Sequence, residues 1–123
     1  MKRKLDIIHF ELKKHTRLYE KLISLLLENI DFNFFAISKD GKYLAKNPAL
    51  TQVVGDTIHA DKVNKEAWES CQEVMRTRQN QIIEEHHNGH WYLSVKSPII
   101  DKGHEVIGVM GVAIDITDKK RLE

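Results

Sequence analysis

The sequence predicts an α+β fold: a five-stranded antiparallel sheet with short helices on one face and a flanking helix at the N-terminus. Three observations carry this expectation. Residues 5–28 contain neither Gly nor Pro and repeat apolar side chains at helical spacing. Asp40-Gly41 and Asn88-Gly89 each separate two short strand-like runs, as hairpin turns do. From residue 81 onward the chain reads as strand, broken only by turn signals.

A chain of 123 residues, 41% hydrophobic and 30% charged, suits one folded core with a helical extension. Its 19 basic and 18 acidic residues leave a formal net charge of +1, so no overall field draws it to nucleic acid or to a membrane surface. Lys2, Arg3, Lys4, Lys13, Lys14 and Arg17 cluster near the start, where a solvated helix face accounts for them without a DNA-docking motif. The single cysteine, Cys71, cannot form an internal disulfide and is too few for a cysteine zinc site, which favours a reducing, cytoplasmic setting. No apolar run approaches the roughly 20 residues of a membrane span, and the charged start is unlike a signal peptide.

Within the first helix, Leu5, Ile8, Leu12, His15, Tyr19, Leu22, Leu26 and Asn29 alternate spacings of three and four, which is a heptad seam. Leu18 and Leu25 add a second stripe. The seam of a homodimer and an amphipathic helix folded back on its own sheet both fit. Phe34, Phe35, Ala36 and Ile37 make the first strand, and residues 42–46 the second. Asn47 and Pro48 then suit the cap and first turn of a short helix to residue 54, stopped by Gly55. A longer helix is expected over 64–78, its inward line being Val63, Ala67, Cys71 and Val74 with Trp68 and Met75 beside them.

Residues 81–87 and 90–100 flank Asn88-Gly89 and form a tight hairpin. Its register sets His87 opposite His90, turns His86 toward Trp91 on the other side, and keeps Glu85 on the His87 face. A turn at Asp101 to Gly103 leads into 106–116, whose nearly continuous apolar run predicts a central strand buried on both faces. Gly108 and Gly111 thin that strand and invite close packing.

The closing segment, with Gly108, Gly111, Asp115, Ile116 and Thr117 followed by charged residues, resembles the end of PAS domains. Asp40-Gly41, Asn47, Gly55, Ser97-Pro98-Ile99, Asp101 and Gly103 match the same family in order and spacing, over residues 30–119. The resemblance implies a flanking dimerisation helix over 1–29, a sensor domain over 30–117 and, over 118–123, the start of a linker helix to an output domain in a longer parent chain. It implies a non-catalytic input module for an effector such as a histidine kinase of a two-component system, with Asp115, Ile116 and Thr117 as the signal relay. The cysteine motif of the flavin-binding branch is absent, and residues 64–78 lack the histidine that usually ligates haem in other branches. Neither cofactor is expected, and His59 is the one haem candidate to test.

Other candidate sites are weaker. Phe34, Ala36, Ala67, Trp68, Cys71, Val74, Met75, Leu93, Val95, Val109 and Met110 either surround a cavity for a small apolar ligand or simply fill the core. His87 and His90 with Glu85 are a poor metal set without a third strong ligand, and solvated histidines at a hairpin tip explain them. Ser70, Ser94, Ser97 and Cys71 lie in no nucleophile motif. Asp115 and Thr117 suit the joint between strand and helix, Thr117 as a cap.

Overall fold

The structure, a computed structural model, describes residues 16–29 and 31–122. The chain divides into two units, the second beginning at Asp31. The first carries helix α1 (Thr16–Asn29), on which Leu18, Leu22, Ile23, Leu25 and Leu26 are exposed. Of the expected seam, Leu5, Ile8, Leu12 and His15 lie outside the described residues, as do the side chains of Tyr19 and Asn29. Among the described residues no helix is long and apolar enough to cross a membrane.

The second unit runs β1 (Asn33–Ser38), β2 (Tyr43–Lys46), α2 (Pro48–Val54), a 3-10 turn (Ala60–Lys62), α3 (Lys65–Thr77), β3 (Gln81–His87), β4 (His90–Ile100), β5 (Val106–Asp115) and α4 (Thr117–Leu122). Its strands form one antiparallel sheet in the order β2-β1-β5-β4-β3. The Asn88-Gly89 turn, with φ of 50° and 81°, sets the expected hairpin register, His87 opposite His90 and Gln81 opposite Lys96. Pro98 is tolerated in β4 because β3 has already ended: beyond Lys96 that side of the strand has no ladder for Pro98 to break.

The central position of β5 is as expected, but its burial on both faces is not. Val109 is fully buried on one side, whereas Met110 and Ile114 on the other are 42% and 41% exposed. Helices α2 and α3 and the 3-10 turn supply residues to the inner face. The apolar run in β5 therefore comes from two different surfaces, a packed one and an open one. The core is Ile37, Cys71, Val74 and Val109, with Phe35, Tyr43, Ala60, Trp68 and Met75 packed against it.

Asn47 fixes α2 to the sheet. Its Oδ1 accepts from the backbone N–H of Leu50 (3.1 Å), capping the helix, and of Phe34 (2.9 Å) in β1. Its Nδ2 donates to the Phe32 carbonyl at 2.8 Å, and the residue is 1% exposed. Asn47→Ala orphans both a cap and a buried strand end, and we expect it to cost about 2–3 kcal/mol in urea unfolding. A loss below about 0.5 kcal/mol, the scale of an ordinary surface change, contradicts this account. Asn64 acts similarly on α3, accepting from Ala67 N–H at 3.1 Å and donating to the His86 carbonyl at 3.0 Å.

Candidate functional site

Between the inner face of the sheet and α2, the 3-10 turn and α3 lies a cavity of about 110 Å³. Strand alternation supplies its floor: Asn33, Phe35 and Ile37 from β1, Tyr43 from β2, Ala113 from β5, Tyr92, Ser94 and Lys96 from β4, Glu85 and His87 from β3. The helical side contributes Leu50, Val53, Val54, Ala60, Val63, Asn64, Ala67, Trp68 and Cys71. Burial pushes the Tyr43 phenol up to about 12. It also raises the Cys71 thiol, against the opposing pull of the Lys96 charge, so this cysteine is not an activated nucleophile.

One wall is charged. Lys96 is 1% exposed, and its Nζ donates to Glu85 Oε2 at 2.7 Å and to the Ala67 carbonyl at 3.2 Å. Lys96 stands opposite Gln81, and Glu85 opposite Tyr92, so the lysine runs along the sheet to meet its partner, with Ser94 in register between them.

The expected lining residues separate into three groups. Ala67, Trp68 and Cys71 border the cavity. Val74, Val109 and Met75 belong to the packed core beside it. Phe34, Ala36, Leu93, Val95 and Met110 are a correction: register puts each on the sheet face opposite Phe35, Ile37, Ser94 and Val109, away from the cavity. Apolar character favoured Leu93 and Val95 over Tyr92, Ser94 and Lys96, but the polar set faces inward. The register of the folded sheet decides the face: Asn33 pairs with Ala113, and Ala113 with Ser94, which commits Tyr92 and Lys96 to the same side, and no local sequence pattern shows that pairing.

The strand-to-helix joint is built on side-chain bonds. Asp115 Oδ1 accepts from the Thr117 N–H (2.9 Å) and hydroxyl (2.5 Å), and Oδ2 lies 2.9 Å from His90 Nδ1. The Thr117 hydroxyl accepts from the Trp91 N–H at 3.0 Å, and the Ile116 N–H donates to the Trp91 carbonyl at 2.8 Å. Thr117 is thus not the cap expected of it. It is the first residue of α4, and its oxygen bonds to β4 instead. Lys120 in α4 reaches Glu84 at 2.5 Å and lies over the Trp91 ring at 5.2 Å.

Those two bonds from Thr117, with a further contribution from His90, hold the Asp115 carboxyl below its ordinary value. A folded value below the unfolded one stabilises the fold at neutral pH. That contribution is lost as pH falls below the ordinary aspartate value, about 3.9, and through the lowered one. Thr117→Val removes the stronger bond, so a carboxyl-carbon NMR titration of Asp115 is expected to move upward in pH; an unmoved titration contradicts the assignment.

The hairpin histidines do not converge. His87 borders the cavity, its Nδ1 3.5 Å from Asn64 Nδ2, whereas His90 turns to Asp115. His86 packs on Trp91 with ring centroids 5.0 Å apart. His59 forms a backbone bridge with Lys42 beside the 3-10 turn. Among the described residues no group of three or more His, Cys, Asp or Glu is placed to hold a metal ion.

Comparison with curated proteins gave no match. Solved structures gave many. The VqmA dimer of Vibrio cholerae in the absence of target DNA matches with a TM-score of 0.65 and 17% identity, over 80% of this chain and 52% of that one. The phage VqmA-DPO complex matches with a TM-score of 0.64 and 15% identity, over 89% of this chain and 58% of that one. The PAS domain of the histidine kinase ThkA matches with a TM-score of 0.59 and 14% identity, over 70% of this chain and 100% of that one. This chain therefore spans little more than half the length of the VqmA chains, and at these identities the likeness is one of fold. The model of the PAS fold matches residues 27–121, a span that takes in all five strands and the cavity they floor, and the chain belongs to that family.

Proposed function

We propose that the chain is a non-catalytic regulatory sensor, cytoplasmic and homodimeric, that relays the state of its cavity through Asp115, Ile116 and Thr117 to a downstream effector such as a histidine kinase. The observation that carries this reading is the bond from Trp91 N–H to the Thr117 hydroxyl. Trp91 precedes Tyr92, which borders the cavity and pairs with Asp115. A ligand that shifts the inner face of β4 therefore acts on the first residue of α4 through one intervening peptide. The mechanism is a population shift, in which the occupant binds one helix arrangement better than the other.

Pairing through residues 5–29 is supported by the exposed Leu22 and Leu26 on α1, with Leu18 and Leu25 beside them. The solved neighbours include a VqmA dimer, a VqmA-ligand-DNA complex and the PAS domain of a histidine kinase, which is consistent with a sensor of this type. The test is a chimera in which residues 1–123 precede a histidine-kinase core in continuous helical register. Asp115→Ala and Thr117→Val should each change autophosphorylation several-fold while the dimer persists in sedimentation. Unchanged activity in both overturns the relay.

A second reading is a dimerisation module whose interior carries no ligand. It is favoured by the open outer face of the sheet, which carries Ile82, 70% exposed on β3, and Met110 and Ile114 on β5. Charge introduced there, as in Ile114→Lys, dissociates the dimer under this reading and spares it if α1 alone pairs the copies.

A further inference from the structure

Resting on the reading of the strand-to-helix joint as the relay, we propose that His90 makes it a pH-sensitive latch: the charged imidazole clamps the start of α4 to the β3–β4 hairpin, and the neutral one loosens it. The geometry is a closed circuit of four groups. The Trp91 N–H donates to the Thr117 hydroxyl, which donates to Asp115 Oδ1, while Oδ2 of the same carboxylate lies 2.9 Å from His90 Nδ1. His90 and Trp91 are neighbours at the start of β4, so the circuit returns to the strand from which it set out. The Thr117 oxygen is itself 3.4 Å from His90 Nδ1, which places the imidazole against both residues that start α4.

Of the four groups, only the imidazole changes charge across the mildly acidic to mildly alkaline range in which histidines titrate. The bonds from Thr117 hold the Asp115 carboxyl below its ordinary value, so it stays ionised throughout. Tyr92, its ring centroid 6.3 Å from that of His90, has its phenol pushed up by burial and by Asp115, and stays neutral. A charged imidazole always donates from Nδ1, whereas a neutral one does so in only one of its two tautomers. Protonation therefore fixes the bond to Asp115 and adds an ionic attraction to it. Because the docked joint presents a carboxylate to the charged ring, docking is favoured in acid, and that share of it is lost as the ring gives up its proton.

The titratable and charged groups around the pair are turned to other partners. His87 lies opposite His90 in register, but its Nδ1 faces Asn64 Nδ2 at 3.5 Å and its Nε2 faces Asn88 Nδ2 at 3.1 Å. Glu85, on the same face of β3, is held by Lys96. His86 packs on Trp91, Lys120 of α4 meets Glu84, and Arg121 meets Asp118 within α4. His90 and Asp115 are each about half exposed, so protons reach them freely and the gain is that of a partly screened pair, about two- to fivefold in the docking equilibrium.

The test is amide hydrogen exchange of the whole chain, read by NMR between about pH 5.5 and about pH 8 and corrected for the intrinsic pH dependence of exchange. The reporters are the Ile116 N–H, bonded to the Trp91 carbonyl, and the Lys120 N–H, bonded to the Ile116 carbonyl, with amides in the middle of β5 as the reference for global opening. We expect both reporters to be about two- to fivefold better protected at the acid end. His90→Gln, which bonds but cannot charge, should flatten this response; His90→Lys, charged throughout, should keep the protection at the alkaline end; His87→Gln should leave the response intact. A flat profile in the unmodified chain, or a response that survives His90→Gln, overturns the latch, and the relay is then still judged by Asp115→Ala and Thr117→Val. If exchange responds but autophosphorylation of the kinase chimera has the same pH profile with and without His90→Gln, the latch stands and the relay falls.

Discussion

Lys96→Met lowers the stability of the fold by about 3–5 kcal/mol, because it leaves the Glu85 carboxylate buried without its partner. The two side chains retain only 2% and 13% of their exposure, so water cannot replace the lost ammonium. The same substitution made together with Glu85→Leu removes both charges at once, and most of the loss is recovered. Urea unfolding of the single and double variants decides the matter. Equal destabilisation in the two would mean that Lys96 acts by packing its stem under Ala67 and not by neutralising Glu85.

Gly108→Ala is expected to cost about 3 kcal/mol or more, at the upper end of what overpacking does. A Cβ at this position would lie 2.0 Å from the Ile37 carbonyl oxygen, 3.1 Å from its carbon and 3.3 Å from Ser38 Cα. All three are backbone atoms of β1, which is bonded to β5 along its whole length, so relief requires opening the ladder between β1 and β5. Gly103→Ala is the control, its nearest neighbour being a side-chain oxygen at 3.4 Å, and should change the melting temperature little. Similar losses in both variants would refute the close-approach argument.

The order of elements was legible because it is written in short-range chemistry. Asn88-Gly89 tolerates positive φ and sets a hairpin register, and Asn47-Pro48 begins a helix in the one way these residues favour. Gly108 and Gly111 announced close packing, and both meet neighbouring strands: Gly111 would place a Cβ 2.4 Å from the Val95 carbonyl. The resemblance of Asp115, Ile116 and Thr117 to a family ending located the joint, though not the bonds that make it. Those bonds run to Trp91 and His90, more than 20 residues earlier, and no local pattern encodes such a partner.

The choice of sheet face was the part that apolar character misread. An alternating strand has two faces, and hydrophobicity selects between them only when one is plainly wet. Here Leu93, Val95 and Met110 face outward while Ser94 and Lys96 face in, so that rule points the wrong way.

From the chain alone came the five strands, their turns, the Asn47 cap of α2 and the family, since each depends on residues close in sequence or on a family's pattern of spacing. Tertiary structure alone decided which side of the sheet is covered, that Lys96 and Glu85 meet beneath α3, and that α4 is tied to β4. The reason is one of range: turn geometry and capping act over a few residues, whereas burial of a charge is settled by what every other element leaves open around it.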